Sequence, residues 1–188
     1  MLRAQLSSGM PAFRERAVSR LVHLADSGEL SGYDPQLLDV IEEVLLEPSR
    51  SARHNSPPQS GLEMRDDLVH VLATLGGPNS IVLLSEMLLL ENDPIVLSSG
   101  LAALRQLSAY PDERILRSLV RVARLLRDRI IDAGLLYELL RTVDELDQIG
   151  WGIENVELFR TLIDILDRPY SSRARSELLA TLDRIRRR

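Results

Sequence analysis

The chain has 188 residues, 45% of them apolar, a formal net charge of −5 and no cysteine. That length and apolar content suffice to bury one continuous core and argue against a disordered chain, while the missing thiols exclude disulfide frameworks, cysteine nucleophiles and thiolate zinc sites. A negative total gives no general attraction to nucleic acid or anionic membrane. Leucine dominates the apolar set and aromatic residues make up only 4%, which favours helices over sheets. All 23 basic residues are arginine, the pattern left by a GC-rich coding bias.

Residues 1–20 carry Arg3, Arg14, Glu15 and Arg16 but no apolar run of signal-peptide length. No run approaches the roughly 20 residues of a membrane span, so a cytoplasmic protein without a membrane partner is expected. The first helix is predicted over Pro11 to Ala25, with Phe13, Ala17, Val18, Leu21 and Leu24 on its apolar face. Asp34-Pro35 opens a second, a cap followed by a proline whose missing N–H is harmless in the first turn. Leu37, Leu38, Ile41, Val44 and Leu45 give it an apolar side, and Pro48 is expected to end it. Residues 48–61 contain no large apolar side chain and are predicted to form a mobile surface loop, because such a segment buries too little to offset its ordering entropy.

Helical patterning resumes at Leu62 and runs to Leu75, where Gly76-Gly77-Pro78 stops it. Ile81 to Leu90 is apolar nearly all round. Such a helix is either enclosed in the middle of the fold or partly exposed as a homodimer surface through residues 81–90. Asp93 and Pro94 cap and begin the next helix, with Val96, Leu101, Leu104 and Leu107 as its stripe and Gly100 keeping it slim. Glu113 to Arg127 follows, then one long or broken helix over Asp128 to Ile149, a break at Gly150-Trp151-Gly152, and helices over Val156 to Leu166 and Tyr170 to Ile185. Trp151 between two glycines suits a packing plug at that break.

The helices repeat one pattern. Pro11, Phe13, Ala17, Val18, Leu21 and Leu24 align without a gap on Pro94, Val96, Gly100, Leu101, Leu104 and Leu107. Second helices end alike, as in Leu45-Leu46-Glu47-Pro48 and Leu89-Leu90-Glu91. With the 48–61 insertion set aside the spacing is roughly 32 to 39 residues, the range of stacked helix pairs. This pattern resembles the HEAT-like repeat, in the short bacterial form of phycobilisome-lyase-type proteins. Asp93-Pro94-Ile95-Val96 through Leu107 is similar to that family's Asp-Pro-x-Val-Arg opening, and Gly76-Gly77-Pro78 to its Gly-Asp-Pro turn. Leu97 stands where the family has Arg, a position that Arg14 and Arg65 keep in the first two copies. The resemblance implies an all-α fold over residues 1–188, one α-α superhelix (α-solenoid) of about four stacked antiparallel helix pairs plus a C-terminal capping helix. It further implies a non-catalytic protein-protein interaction scaffold or adaptor, with a nucleic-acid-binding solenoid as the alternative and a chaperone for a chromophore protein as a third reading.

The candidate binding residues are Arg114, Arg117, Arg121 and Arg124, whose spacing of three, four and three aligns them on one helix face. Such a row suits an acidic partner protein or, as the alternative, nucleic-acid phosphates. The more ordinary reading of the same row is a solvated face opposite the leucines, neutralised by Glu138, Asp144, Glu145 and Asp147 on the following helix. Chemistry is otherwise thin. His23, His54 and His70 share no helix face, and their carboxylate neighbours Asp26, Asp66 and Asp67 suggest surface ion pairs rather than a metal site. Adjacent pairs such as Asp66-Asp67 and Glu42-Glu43 point apart and cannot work as acid and base. No phosphate loop, catalytic triad order or nucleophile elbow occurs, so neither an enzyme nor a cofactor is expected.

Overall fold

The computed structural model describes residues 2–8, 10–30, 35–51, 60–149, 153 and 155–187. Among the described residues there are ten helices and no strand: α1 (Leu2–Leu6), α2 (Pro11–Asp26), α3 (Pro35–Ser51), α4 (Ser60–Leu75), α5 (Gly77–Leu90), α6 (Pro94–Gln106), α7 (Glu113–Asp128), α8 (Ala133–Ile149), α9 (Val156–Ile165) and α10 (Ser172–Arg186). Short polar side chains fix their starts by accepting from orphan backbone N–H groups. Asp93 accepts from Ile95 (2.9 Å) and Val96 (3.4 Å) to open α6. Asp112, Asp132 and Asn155 do the same for α7, α8 and α9 at 2.9, 2.8 and 2.8 Å, and Ser171 caps α10 at 3.3 Å.

The helices pack in two rows. The even-numbered helices α2, α4, α6, α8 and α10 touch in succession, and the odd-numbered helices α1, α3, α5, α7 and α9 do likewise. The rows meet through pairs of consecutive helices, so every substantial contact joins elements one or two places apart. One core of leucine, valine and isoleucine runs between the rows from Leu6 to Leu182. Each fully buried leucine in it contributes about 1.5–3 kcal/mol. Gly100 lets α6 approach α5 closely, since a Cβ there would collide with Met87 Cε. α5 itself lies between α3 and α7 and under α6, with six residues buried from Ser80 to Leu88. Leu90, at 38%, is the one large apolar side chain of α5 that reaches clear exposure.

Several predicted boundaries shift. Pro48 does not end α3, which continues to Ser51. Val44, Leu45 and Leu46 are buried immediately before it, and that packing outweighs the one ladder bond a proline's missing N–H removes. The predicted loop 48–61 is therefore helical over 48–51 and 60–61, and 52–59 lie outside the described residues. So do Asp34, His54 and Gly150-Trp151-Gly152. α5 begins at Gly77, with Gly76 as its N-cap in a conformation (φ 68, ψ −167) that few side chains tolerate. The 128–149 segment is broken at Arg129 to Asp132 by the Asp132 cap. Phe13, predicted for the core, is 41% exposed, because α2 opens the even row and its neighbour α1 spans only five residues.

Candidate partner-binding site

α7 is the most strongly two-sided helix of the fold. Ile115, Leu119, Val122, Ala123 and Leu126 are buried, which turns Arg114, Arg117 and Arg124 outward and leaves Arg121 half-buried. The four predicted arginines thus share one outer surface of the odd row. Their environments differ. Arg114 has no partner among the described residues. Arg117 pairs with Glu113 one turn earlier at 2.7 Å, with both side chains mostly exposed. Arg124 pairs with Glu157 at the start of α9, again in solvent. Exposed pairs of this kind contribute only ~0–1 kcal/mol and exchange readily.

Arg121 is held differently. Its Nη2 donates to Asn92 Oδ1 at 2.9 Å, while Nη1 is buried without an acceptor. Burial lowers the Arg121 pKa from its ordinary value, and the nearby Arg129 charge lowers it further against the opposing pull of Glu91. Glu91 belongs to a buried ion pair with Arg65 of α4. Its other oxygen accepts from the N–H groups of Asn92 (2.6 Å) and Asp93 (2.9 Å). Arg65 in turn donates through Nε to Gly61 O at 3.2 Å. Thus α4, the α5–α6 turn and α7 are joined by one polar chain that ends at Arg121.

The carboxylates expected to neutralise the row lie elsewhere. Glu138 and Glu145 of α8 pair with Arg105 of α6 at 2.8 and 3.4 Å. Asp144 accepts from Arg184 Nε (3.2 Å) and Thr181 (3.1 Å) of α10, and Asp147 accepts from the Ile153 N–H at 2.8 Å. The reason is the row arrangement: α8 flanks α6 and α10, so its acidic side chains meet their basic ones.

Two hollows open beside the row. The larger, about 670 Å³, lies between α7 and α9 and is lined by Arg124, Arg127, Asp128, Val156, Glu157, Arg160 and Thr161. The smaller, about 190 Å³, is lined by Arg121, Arg124, Leu125, Asp128 and Arg129. Asp128 is already held by Arg127, at 2.7 Å from Nε and 2.9 Å from Nη2. That bond, with the charges of Arg127, Arg129 and Arg168, holds its carboxyl below the usual range. Arg129 and Arg160 are exposed; Arg129 acts on Asp128 through its charge alone, and Arg160 has no hydrogen bond or ion pair among the described residues.

Sequence reasoning placed the four-arginine face but not Arg129 and Arg160. Arg129 follows the last residue of α7, where helical spacing no longer applies, and Arg160 joins the surface through packing of α9 on α7. The histidine pairs also differ from expectation in detail. His70 Nε2 lies 2.8 Å from Asp26 Oδ1, linking α4 to α2 rather than bonding within its own helix. Among the described residues, no three His, Asp or Glu side chains converge in a metal-binding group, and no helix is long and apolar enough to cross a membrane.

Fold and site together define an all-helical protein with an arginine-lined outer surface on one of its two rows. Comparison with protein families, with curated proteins and with solved structures finds no match to this chain.

Proposed function

We propose that this protein is a non-catalytic scaffold or adaptor of the HEAT-like, α-solenoid kind, working in the cytoplasm and binding an acidic partner protein on the outer face of α7. Packing confined to helices one or two places apart supports the repeat architecture. One observation carries the binding surface: of the α8 carboxylates that would cancel the arginine row, Glu138 and Glu145 are engaged with Arg105, Asp144 with Arg184 and Asp147 with the Ile153 N–H. Arg114 therefore has no carboxylate partner among the described residues, Arg129 shares with Arg127 the single carboxylate of Asp128, and Arg117 and Arg124 are held only by exposed pairs. Arginine forks of this kind suit carboxylate recognition.

The test is affinity capture from native extract with the intact protein and with Arg114, Arg117, Arg121 and Arg124 all replaced by Glu. Specific recovery of a partner by the intact face, lost on reversal, supports the reading, and equal recovery from both proteins removes it. Binding to duplex DNA or RNA that falls steeply with salt and disappears on reversal would transfer the face to the nucleic-acid alternative.

A further inference from the structure

The smaller hollow has an imbalance of donors over acceptors. Three guanidinium groups line it, those of Arg121, Arg124 and Arg129, against the single carboxylate of Asp128. That carboxylate is committed to Arg127 through both oxygens. Arg121 has one neutral acceptor, Asn92 Oδ1, and its Nη1 has none. A buried donor left without an acceptor is unfavourable, and here it lies close enough to Arg129 for the two positive charges to repel. We propose that this open hollow, formed by the C-terminal half of α7 and Arg129 just beyond it, seats a tetrahedral oxyanion of the phosphate-monoester class between Arg121, Arg124 and Arg129.

Size and charge favour that class. A hollow of about 190 Å³ has room for one phosphate group with the start of its ester chain. A monoester carries close to two negative charges and three acceptor oxygens at neutral pH, matching three arginines better than a carboxylate with two oxygens does. A small rotation of the Arg121 guanidinium would bring Nη1 an acceptor, and Arg124 would leave an exposed pair with Glu157 that costs little to break. A nucleic-acid backbone fits less well, because Glu113, Asp128 and Glu157 interrupt the positive track along α7 and α9. The proposal rests on the reading of the α7 face as a binding surface and names the group that face recognises.

Calorimetric titration of the full chain with inorganic phosphate, at constant ionic strength set by chloride, tests it. A phosphoserine peptide, its unphosphorylated twin and a DNA duplex serve as parallel ligands. Saturable phosphate binding is expected, with the Arg Nε–H resonances of residues 121, 124 and 129 shifting in NMR spectra. Since a charge-assisted hydrogen bond contributes about 1.5–3 kcal/mol, Arg121→Gln or Arg129→Gln should weaken binding roughly tenfold or more. Arg141→Gln, on α8, should leave it unchanged. Arg129 is exposed, so its replacement keeps the fold even if that of Arg121 does not. A phosphopeptide binding more tightly than free phosphate places the group on a protein; equal affinity points to a free phosphate. Either supports the site. No saturable binding, equal binding by the Gln variants, or tighter binding of the duplex than of either phosphate ligand overturns it. Partner capture that needs the arginine row but is indifferent to phosphatase treatment and added phosphate would remove this inference while leaving the scaffold reading in place.

Discussion

Replacing Arg65 by Met tests the polar chain that runs from α4 to α7. Arg65 and Glu91 are 3% and 5% exposed, so the substitution leaves a buried carboxylate without its cation. Breaking a buried pair from one side costs about 3–5 kcal/mol. Glu91 retains the Asn92 and Asp93 N–H donors, which places Arg65→Met near the lower end, ~3 kcal/mol. Glu91→Met is worse: Arg65 keeps only Gly61 O, and two backbone donors lose their acceptor, for a cost nearer ~5 kcal/mol. At about 2–4 °C per kcal/mol for a chain of this size, Arg65→Met lowers Tm by roughly 6–12 °C. The double variant puts two apolar chains where two charges stood and should fall short of the summed losses by at least about 2 kcal/mol. Urea unfolding followed by far-ultraviolet circular dichroism measures all four proteins. An additive double variant, or single losses below about 1 kcal/mol, would refute a coupled buried pair.

Gly76→Ala should cost about 1–3 kcal/mol from backbone strain alone, because the new Cβ would find only Leu107 Cδ2, at an unstrained 3.8 Å; loss below that range in a thermal melt would count against the Gly76 conformation. Asp93→Ala removes the α6 cap and should cost ~1 kcal/mol, read in the same unfolding assay, with faster amide exchange at Ile95 and Val96. Glu157→Gln breaks an exposed pair with Arg124 and should change stability by less than about 1 kcal/mol. Burial raises the Tyr170 phenol above its ordinary value of 10.0 despite an opposing backbone hydrogen bond and the Arg168 charge. The unfolded chain therefore loses that proton first, and the stabilising contribution, full below pH ~10, declines as pH rises toward the folded value. Unfolding free energies of the parent and Tyr170→Phe should draw apart at neutral pH and converge or cross in alkali; a constant gap would exclude the linkage.

The helices were legible because leucine periodicity and cap residues are local signals: Asp93-Pro94 and Gly76-Gly77 mark their boundaries within a few residues. Pro48 weighs locally against helix, while the burial of Val44, Leu45 and Leu46 that carries α3 past it depends on packing against α1, α4 and α5, which no local signal shows. The arginine face could be counted from spacing, since Arg114, Arg117, Arg121 and Arg124 share one helix. Where its counter-charges go could not. Glu138 and Asp144 follow α7 closely in sequence, yet their helix sits in the other row and meets Arg105 and Arg184 instead. Arg65 and Glu91 were invisible as a pair for the same reason: 26 residues separate them, and only the packing of α4 on the α5–α6 turn brings them together.

The succession of short-range contacts has a mechanical consequence. Among the described residues, no helix makes a substantial contact with one more than two places along the chain. Each joint between neighbouring helices is therefore made by local packing of the leucine core. Strain imposed by a bulky occupant on the α7 face would then pass first to α5, α8 and α9, the helices that α7 touches, rather than directly to the ends of the chain.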